Sequence, residues 1–412
     1  MSLSNPWFVV ALVGIVGWFH LKLVADFLNL SRLGNDVPEV MKDVVTPEDR
    51  ERTIAYQSSV ARLDVVEDGL TLAVTLGLWW SGAFGWLDAR AASVGWGTIG
   101  NGLWLMGVLF AGSSVLGLPM DLWRTFGVET EFGFNNTSLR TFLMDRLKGL
   151  ILAALLGLPL LALLLWLFEH SPLAALWSWL LVSVWGLLMT WLAPRFIMPL
   201  FHKFEPMPEG ELRDAILKLA ERLKFPVADI SVIDGSRRST KANAFFVGFG
   251  KTRRIALFDT LIQGHTTDEI VAVLAHEIGH AKLGHVPRQI ILGLVLSGIM
   301  FALLHVGLHD QRLFSAFGVA HPSVAVGMVL FMIVYSPWSR LFDPLVSLLS
   351  RRHEFEADRF AAESVGSAAP LVSALKKLSH DHLAHLTPHP FYVWLHYSHP
   401  PLTERLSAME KL

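Results

Sequence analysis

The chain alternates between long apolar stretches and stretches in which polar and apolar residues are mixed. Seven apolar stretches are long enough, or nearly so, to cross a bilayer as helices, because a span needs about 20 apolar residues. The fourth is the clearest, since it contains 20 consecutive residues without a charge. The pattern therefore predicts a membrane protein with several spans. The spans are predicted at Trp7–Leu23, Gly69–Leu87, Gly102–Met120, Gly149–Phe168, Leu173–Ala193, Ile290–Leu308 and Val324–Leu341.

The mixed stretch 202–287, between the fifth and sixth spans, has the pattern of a small α+β unit. Glu209–Leu223 has helical periodicity and a polar face. A further helix start is indicated near the N-terminus by Thr46-Pro47-Glu48. Strands are predicted at 230–233, 244–249 and 254–258, the last two forming a hairpin around Gly250-Lys251.

Composition agrees with the membrane prediction and narrows the chemistry. Hydrophobic residues make up 52% of the chain and charged residues 17%, which excludes an ordinary soluble domain. The net charge of −2 gives no electrostatic case for binding nucleic acid. The chain has no cysteine, so disulfides, thiol catalysis and cysteine-ligated zinc are excluded. Any metal site must therefore use histidine and carboxylate ligands.

Lysine and arginine are distributed unequally between the two sides that the spans define. They are frequent at 29–66, 121–148, 201–287 and 350–412, whereas the alternate loops carry only Arg90 and Arg312. The positive-inside rule then predicts an outside or lumenal N-terminus and a cytosolic position for the mixed segments. This topology fits either a bacterial inner membrane or the endoplasmic reticulum.

The sequence His276-Glu277-Ile278-Gly279-His280 has the H-E-x-x-H spacing, within an apolar stretch of helical periodicity. Residues four apart lie on one face of a helix, so His276 and His280 can direct their imidazoles at one zinc ion. Glu277 lies about 100° around the helix and can take a proton from the attacking water as general base. His285 falls about 180° from His276 on a continuous helix, so it is predicted to be a surface residue of a helix end closed by Pro287.

The third ligand is predicted downstream, after the seventh span. Glu354 and Asp358 are four apart on a predicted helix, so one can bind the metal while the other orients a histidine ligand. Glu356 points to another face and is predicted to take no part. Two spans separate His280 from Glu354, and an even number returns the chain to the same membrane surface. The two half-sites can therefore meet.

These features together resemble the integral-membrane type I CAAX prenyl endopeptidases. The resemblance rests on the spans, the two motifs and several further segments. What it implies is a mainly α, polytopic membrane protein with seven transmembrane helices around a chamber and a cytosolic α+β zincin-like metalloprotease domain. The further matching segments are Phe126-Gly127-Val128-Glu129, Gly133-Phe134-Asn135, Asn243-Ala244-Phe245-Phe246 and Tyr397-Ser398-His399-Pro400-Pro401-Leu402 with Glu404-Arg405.

The resemblance also implies a role for each site residue. Glu277 would be the base and His399 would donate to the oxyanion. Asn243 would contact the substrate backbone, and Asp358 and Arg405 would support the site. One Zn²⁺ per chain would be bound by His276, His280 and Glu354.

The implied domains are a five-span membrane domain (1–201), a zincin-like catalytic segment (202–287), spans six and seven (288–349) and a C-terminal segment carrying the third ligand (350–412). The implied partners are the lipid bilayer and a peptide or protein substrate, prenylated near its C-terminus.

Two other functions remain open. One is a broader quality-control zinc protease for membrane proteins. The other is a seven-span receptor or transporter with a structural zinc, although Glu277 would have no role in such a site. The tail histidines His380, His382, His385 and His389 are interpreted as a polar or incidental surface and not as a second metal site.

Overall fold

The computed structural model describes residues 2–247, 253–320 and 322–412. Within these residues, five helical runs are each long and apolar enough to cross a membrane. Two helix pairs, bent by 67° and 52°, bring the number to seven if each pair is one span. The helices of the first half are α1 (Pro6–Leu30), α2 (Pro47–Trp80), α3 (Ala83–Val94), α4 (Gly97–Leu122), α5 (Glu129–Glu131), α6 (Leu139–His170), α7 (Ala174–Leu192) and α8 (Met198–Phe201).

The second half contains the remaining helices and a four-stranded sheet. The strand order in this sheet is β1-β2-β4-β3, with β2 and β4 parallel and the other neighbouring pairs antiparallel. The elements are β1 (Phe204–Pro206), α9 (Glu211–Arg222), β2 (Asp229–Ile233), β3 (Ala244–Val247), β4 (Arg254–Phe258), α10 (Asp259–Gly264), α11 (Thr267–Lys282), α12 (His285–Leu308), α13 (Gln311–Ala316), α14 (Val324–Ser339), α15 (Asp343–Val365), α16 (Ala369–Asp381), α17 (Pro390–His396) and α18 (Leu402–Met409).

Each predicted span coincides with one of these helices or bent helix pairs, apart from one or two residues at an end or at the bend. The second and seventh predicted spans lie in the bent pairs α2–α3 and α14–α15, and the other five lie in single helical runs, two of which contain a short, underwound π-helical segment (123–128 and 193–197). The start signal at Thr46 is confirmed: its side chain accepts from the backbone of Asp49, whose carboxylate accepts from the backbone of Thr46 in return. The fold prediction, a mainly helical polytopic membrane protein with a small sheet, is confirmed.

The outer surface of the span helices is apolar. Leu155 is 66% exposed, Val184 64% and Val295 54%, each near the middle of a long helix. Such continuous apolar exposure is costly in water and is expected where lipid covers the surface. The span helices α1, α2, α4, α6, α12 and α14 also line a cavity of about 880 Å³, whose wall carries charged side chains including Lys22 and Asp68.

The strand predictions are confirmed in position and pairing. β3 pairs antiparallel with β4, as the predicted hairpin requires, and positions 248–249 of the predicted strand and the turn predicted at Gly250-Lys251 lie outside the described residues. β3 occupies the edge of the sheet, because its described partner is β4 alone. The short strand β1 is not predicted from the pattern, since three residues give too little periodicity.

The long helix α12 separates two ends of the molecule. Its first residue, His285, adjoins the H-E-x-x-H helix. Its other end lies beside the start of the chain, where Trp7 donates from Nε1 to Asp310 Oδ2 at 2.8 Å and Asn5 donates to the carbonyl of Arg312 at 2.8 Å. A helix of 24 residues is about 36 Å long, so the motif and the N-terminal residues lie at opposite ends of the spans.

A candidate metal centre

The helix α11 presents the H-E-x-x-H motif. Thr266 is the N-cap: its side chain accepts from the backbone of Glu269, and Glu269 accepts from the backbone of Thr266 in return. This capping box fixes the start of the helix. Glu269 also accepts from Ser373 at 2.6 Å and Lys377 at 2.8 Å, which fastens α11 to α16.

The helix α15 brings the third candidate ligand against α11. A Cβ atom added to Gly279 would lie 3.0 Å from Phe360 Cδ1 and 3.4 Å from Ala357 Cα. The glycine between the two histidines therefore allows the two helices to approach closely. This approach places the buried Glu354 beside both histidines.

The ligand atoms of His276, His280 and Glu354 converge on one point. The two Nε2 atoms are 3.1 Å apart, and the Glu354 carboxylate oxygens lie 3.3 Å from His280 Nε2 and 3.6 Å from His276 Nε2. Ligands about 2.0–2.1 Å from a tetrahedral zinc would be separated by about 3.3–3.4 Å. The observed spacing fits this value. Glu354 Oε2 is also buried, and its neighbours in the described residues are ion-pair partners, Arg405 at 3.2 Å and His276 at 3.6 Å.

A buried arginine and a carboxylate support the three candidate ligands. Asp358 Oδ1 lies 2.9 Å from His276 Nδ1, the ring nitrogen that faces away from the candidate metal position. Arg405 donates to both oxygens of Asp358, at 2.8 and 2.6 Å, and its Nη1 lies 3.2 Å from Glu354 Oε2. Burial alone would lower the pKa of Arg405, but its bonds to Asp358 raise it, so the guanidinium remains charged.

Despite burial, the pKa of His280 is raised by the neighbouring Glu354 carboxylate. Burial alone would lower this pKa, but the hydrogen bond to the Glu354 carboxylate raises it. Glu277 is half-buried on the same helix, one residue after His276. A carboxylate in this position is suited to accept a proton beside the metal.

The two remaining predicted residues flank the centre. The His399 side chain is 63% exposed, and its Nε2 lies 3.4 Å from Glu354 Oε1, so it is close to the ligands and open to solvent. Asn243 is exposed directly before the edge strand β3, and its Oδ1 accepts from the backbone of Ala244 at 2.8 Å. The segment before Asn243 is fixed by Lys241, which donates to Glu129 at 2.9 Å.

The prediction for His285 is wrong. This residue is 1% exposed and begins α12. Gly284, with φ of +73°, ends α11 in the left-handed conformation, so the continuous-helix extrapolation fails at that residue. Pro287 consequently lies in the first turn of α12 and does not close α11.

The turn at Gly284 directs His285 toward the centre, where its Nδ1 lies 2.9 Å from His280 Nδ1. Glu356, predicted to take no part, lies 3.1 Å from His285 Nε2.

Two histidines of the tail connect distant segments, so the interpretation of the tail as an incidental surface is wrong for His382 and His385, whereas no second metal site is found there among the described residues. His382 Nε2 accepts from the backbone of Ala242, and His385 donates from Nε2 to the carbonyl of Asn29. Burial lowers the pKa of His382, which keeps its ring neutral and able to accept. In the described parts of the chain, His276, His280 and Glu354 form the one group of this kind with metal-binding spacing.

Comparisons with known proteins agree with this geometry. A family model described as CAAX prenyl protease N-terminal, five membrane helices, matches residues 26–203, and one described as peptidase family M48 matches residues 206–412. The chain is 35% identical to a CAAX prenyl protease 1 homolog of Oryza sativa subsp. japonica, over 91% of this chain and 90% of that protein. It is 32% identical to CAAX prenyl protease 1 of Saccharomyces cerevisiae, over 98% and 95% respectively.

A solved structure has the same architecture. The crystal structure of S. mikatae Ste24p matches with a TM-score of 0.92 and 32% identity, covering 98% of this chain and 99% of that one. Membership of a peptidase family excludes the alternative of a receptor or transporter with a structural zinc. The chain therefore belongs to peptidase family M48 and is a multi-pass membrane metallopeptidase similar along its whole length to the CAAX prenyl proteases.

Proposed function

We propose that the protein is a zinc endopeptidase that cleaves near the C-terminus of prenylated proteins ending C-a-a-X. The observation that carries the proposal is the convergence of the His276, His280 and Glu354 ligand atoms within 4.8 Å of one another. Two imidazoles and one carboxylate, without cysteine, form the donor set of catalytic zinc in peptidases. The substrate class is inferred from the relatives, which are named CAAX prenyl proteases.

The ligand set leaves room for catalysis, because three protein ligands do not complete a tetrahedral site. When bound, zinc supplies a Lewis acid that polarises the scissile carbonyl and acidifies water. Glu277 takes the proton of the attacking water and later gives it to the leaving amine. His276 is oriented by Asp358 at 2.9 Å, and Arg405 offsets the negative charge of that carboxylate.

The substrate backbone is bound along β3 in this proposal. β3 is an edge strand beside α11, and an extended peptide can pair with such an edge. Asn243, exposed at the start of the strand, is placed to contact that peptide. His399 donates to the developing oxyanion, since its ring is exposed and lies near Glu354.

The site faces the cytosol in this proposal. The basic residues of the mixed segments lie at the same end of the spans as the motif helix, whereas the N-terminal residues lie at the other end of α12. The positive-inside rule assigns the basic end to the cytosol. The cavity of about 880 Å³ between the spans, lined largely by apolar side chains, has the size and character to take a prenyl chain.

The test compares the purified protein with Glu277→Gln. We expect about one zinc per chain in both proteins. The variant should lose hydrolysis of a farnesylated C-a-a-X peptide by at least about a hundredfold, because an amide cannot accept the proton of water. Activity retained with zinc bound would reject Glu277 as the base.

The same assay separates prenyl-directed cleavage from general quality control. The unprenylated peptide of the same sequence is the matched substrate. We expect cleavage of the farnesylated peptide to be favoured. Equal cleavage of both peptides, abolished in Glu277→Gln, would support the broader quality-control protease.

A further inference from the structure

His285 is a buried polar residue in direct contact with a candidate ligand. It is 1% exposed, and its Nδ1 lies 2.9 Å from Nδ1 of His280. Its other nitrogen, Nε2, lies 3.1 Å from Glu356 Oε2. The second oxygen of Glu356 accepts from Arg352 Nε at 3.2 Å. These contacts form an unbroken chain from a carboxylate to His280.

The direction of each hydrogen bond follows from the ligand role of His280. Its Nε2 faces Glu354 and His276, so this nitrogen needs a free lone pair to bind the metal. Its proton then resides on Nδ1, which donates to His285 Nδ1. A neutral His285 that accepts on Nδ1 carries its proton on Nε2 and donates to Glu356. Every donor in this chain meets an acceptor.

We infer that His285 and Glu356 are positioning residues that fix the tautomer and ring orientation of His280. The inference rests on the proposed role of His280 as a metal ligand. His276 contacts its supporting carboxylate, Asp358, directly at 2.9 Å. His280 is connected to Glu356 through the imidazole of His285. A hydrogen bond from a ligating histidine to a carboxylate raises the basicity of the ligand, and its loss typically weakens metal binding by about 10- to 100-fold.

The stacked neighbour of His285 provides a matched control. The His353 ring stacks on the His285 ring with a centroid distance of 4.0 Å and an interplanar angle of 7°. Both its ring nitrogens are buried without a hydrogen-bond partner in the described parts of the chain. His353 therefore packs against the chain of hydrogen bonds but is not part of it.

The test measures zinc affinity by competition with a chromophoric chelator, together with peptide hydrolysis, for five variants. His285→Phe preserves a flat ring but removes both hydrogen bonds, and we expect about 10- to 100-fold weaker zinc binding. His285→Gln can still accept from His280 and donate to Glu356, so it should remain within a few-fold of the original affinity. Glu356→Leu should weaken binding in the same direction, whereas His353→Phe should not.

The outcomes separate this inference from the ligand assignment. The fifth variant, His280→Ala, must lose zinc, and retention of zinc there would reject His280 as a ligand whatever His285 does. If His280→Ala loses zinc and His285→Phe binds it as tightly as the original protein, the positioning role is wrong. Equal weakening by His285→Phe and His353→Phe would indicate disturbed packing and would also overturn it.

Discussion

Glu269 offers a prediction whose magnitude can be worked out from its surroundings. It is 4% exposed and accepts hydrogen bonds from the Thr266 backbone, Ser373 and Lys377. Burial alone would raise the pKa of this carboxyl, but the bonds from Lys377, Ser373 and the N-cap lower it from 4.5 to about 2. The charged form is thus favoured in the folded protein.

A lowered pKa stabilises the folded state above the unfolded pKa, and this contribution is lost as the pH falls toward the folded value. One pH unit corresponds to about 1.4 kcal/mol, so the Glu269 charge contributes about 3 kcal/mol at neutral pH. The contribution falls by about 1 kcal/mol at pH 4 and about 2 kcal/mol at pH 3.

The perturbation is Glu269→Gln, which retains a side chain suited to the capping box but removes the charge. We expect the apparent Tm in detergent, followed by tryptophan fluorescence, to fall by about 3–4 °C at pH 7. The difference from the original protein should shrink between about pH 5 and pH 3. Glu211→Gln, at an exposed first-turn position of α9, is the control and should change Tm little. A difference that is the same at pH 7 and pH 4 would refute the electrostatic reasoning.

Two further predictions concern the metal centre. Glu354→Ala should lose both zinc and activity, whereas Glu363→Ala, an exposed position on the same helix, should lose neither; zinc retained without Glu354 would redirect the search for the third ligand. His399→Ala should lower kcat by about a hundredfold or more while zinc content and KM change little, because a donor to the oxyanion acts in the transition state. A loss confined to KM would make His399 a binding residue, and a loss of zinc would make it a ligand.

Much of the candidate site can be predicted from the spacing of residues along a helix. The helical repeat is enough to place His276 and His280 on one face, and the same repeat pairs Glu354 with Asp358. The even number of predicted spans between the two motifs places them at the same membrane surface, where they can meet. These inferences need only short-range geometry and the thickness of a bilayer, and both can be obtained from the sequence.

The contacts of His285 could not be obtained in that way. The prediction assumed that α11 continues beyond Leu283, and on that assumption His285 points away from His276. Gly284 carried the missing signal, since a glycine just beyond a helix commonly adopts the left-handed conformation that ends it. This single residue in the left-handed conformation changes the direction of the chain between α11 and α12. Its consequence is that a residue assigned to the surface is buried against His280.

For a different reason, the contacts of His382 and His385 in the tail cannot be predicted. His382 contacts Ala242 and His385 contacts Asn29, so their partners lie far away in the chain. Periodicity describes neighbours along one element and contains no information about such pairs. The exposed fraction of a histidine depends on the segment that folds over it, and that segment cannot be identified from one sequence.

The metal centre joins elements that belong to different spans. α11 leads directly into the span α12, and α15 continues the bent pair that contains α14. Arg405, from α18, binds both Asp358 and Glu354 on α15. Removing either acidic partner would leave the buried guanidinium incompletely paired, a situation that is strongly destabilising in proteins. The ligands are therefore held by two spans and the tail at once, and this arrangement favours a site whose geometry is fixed before zinc binds.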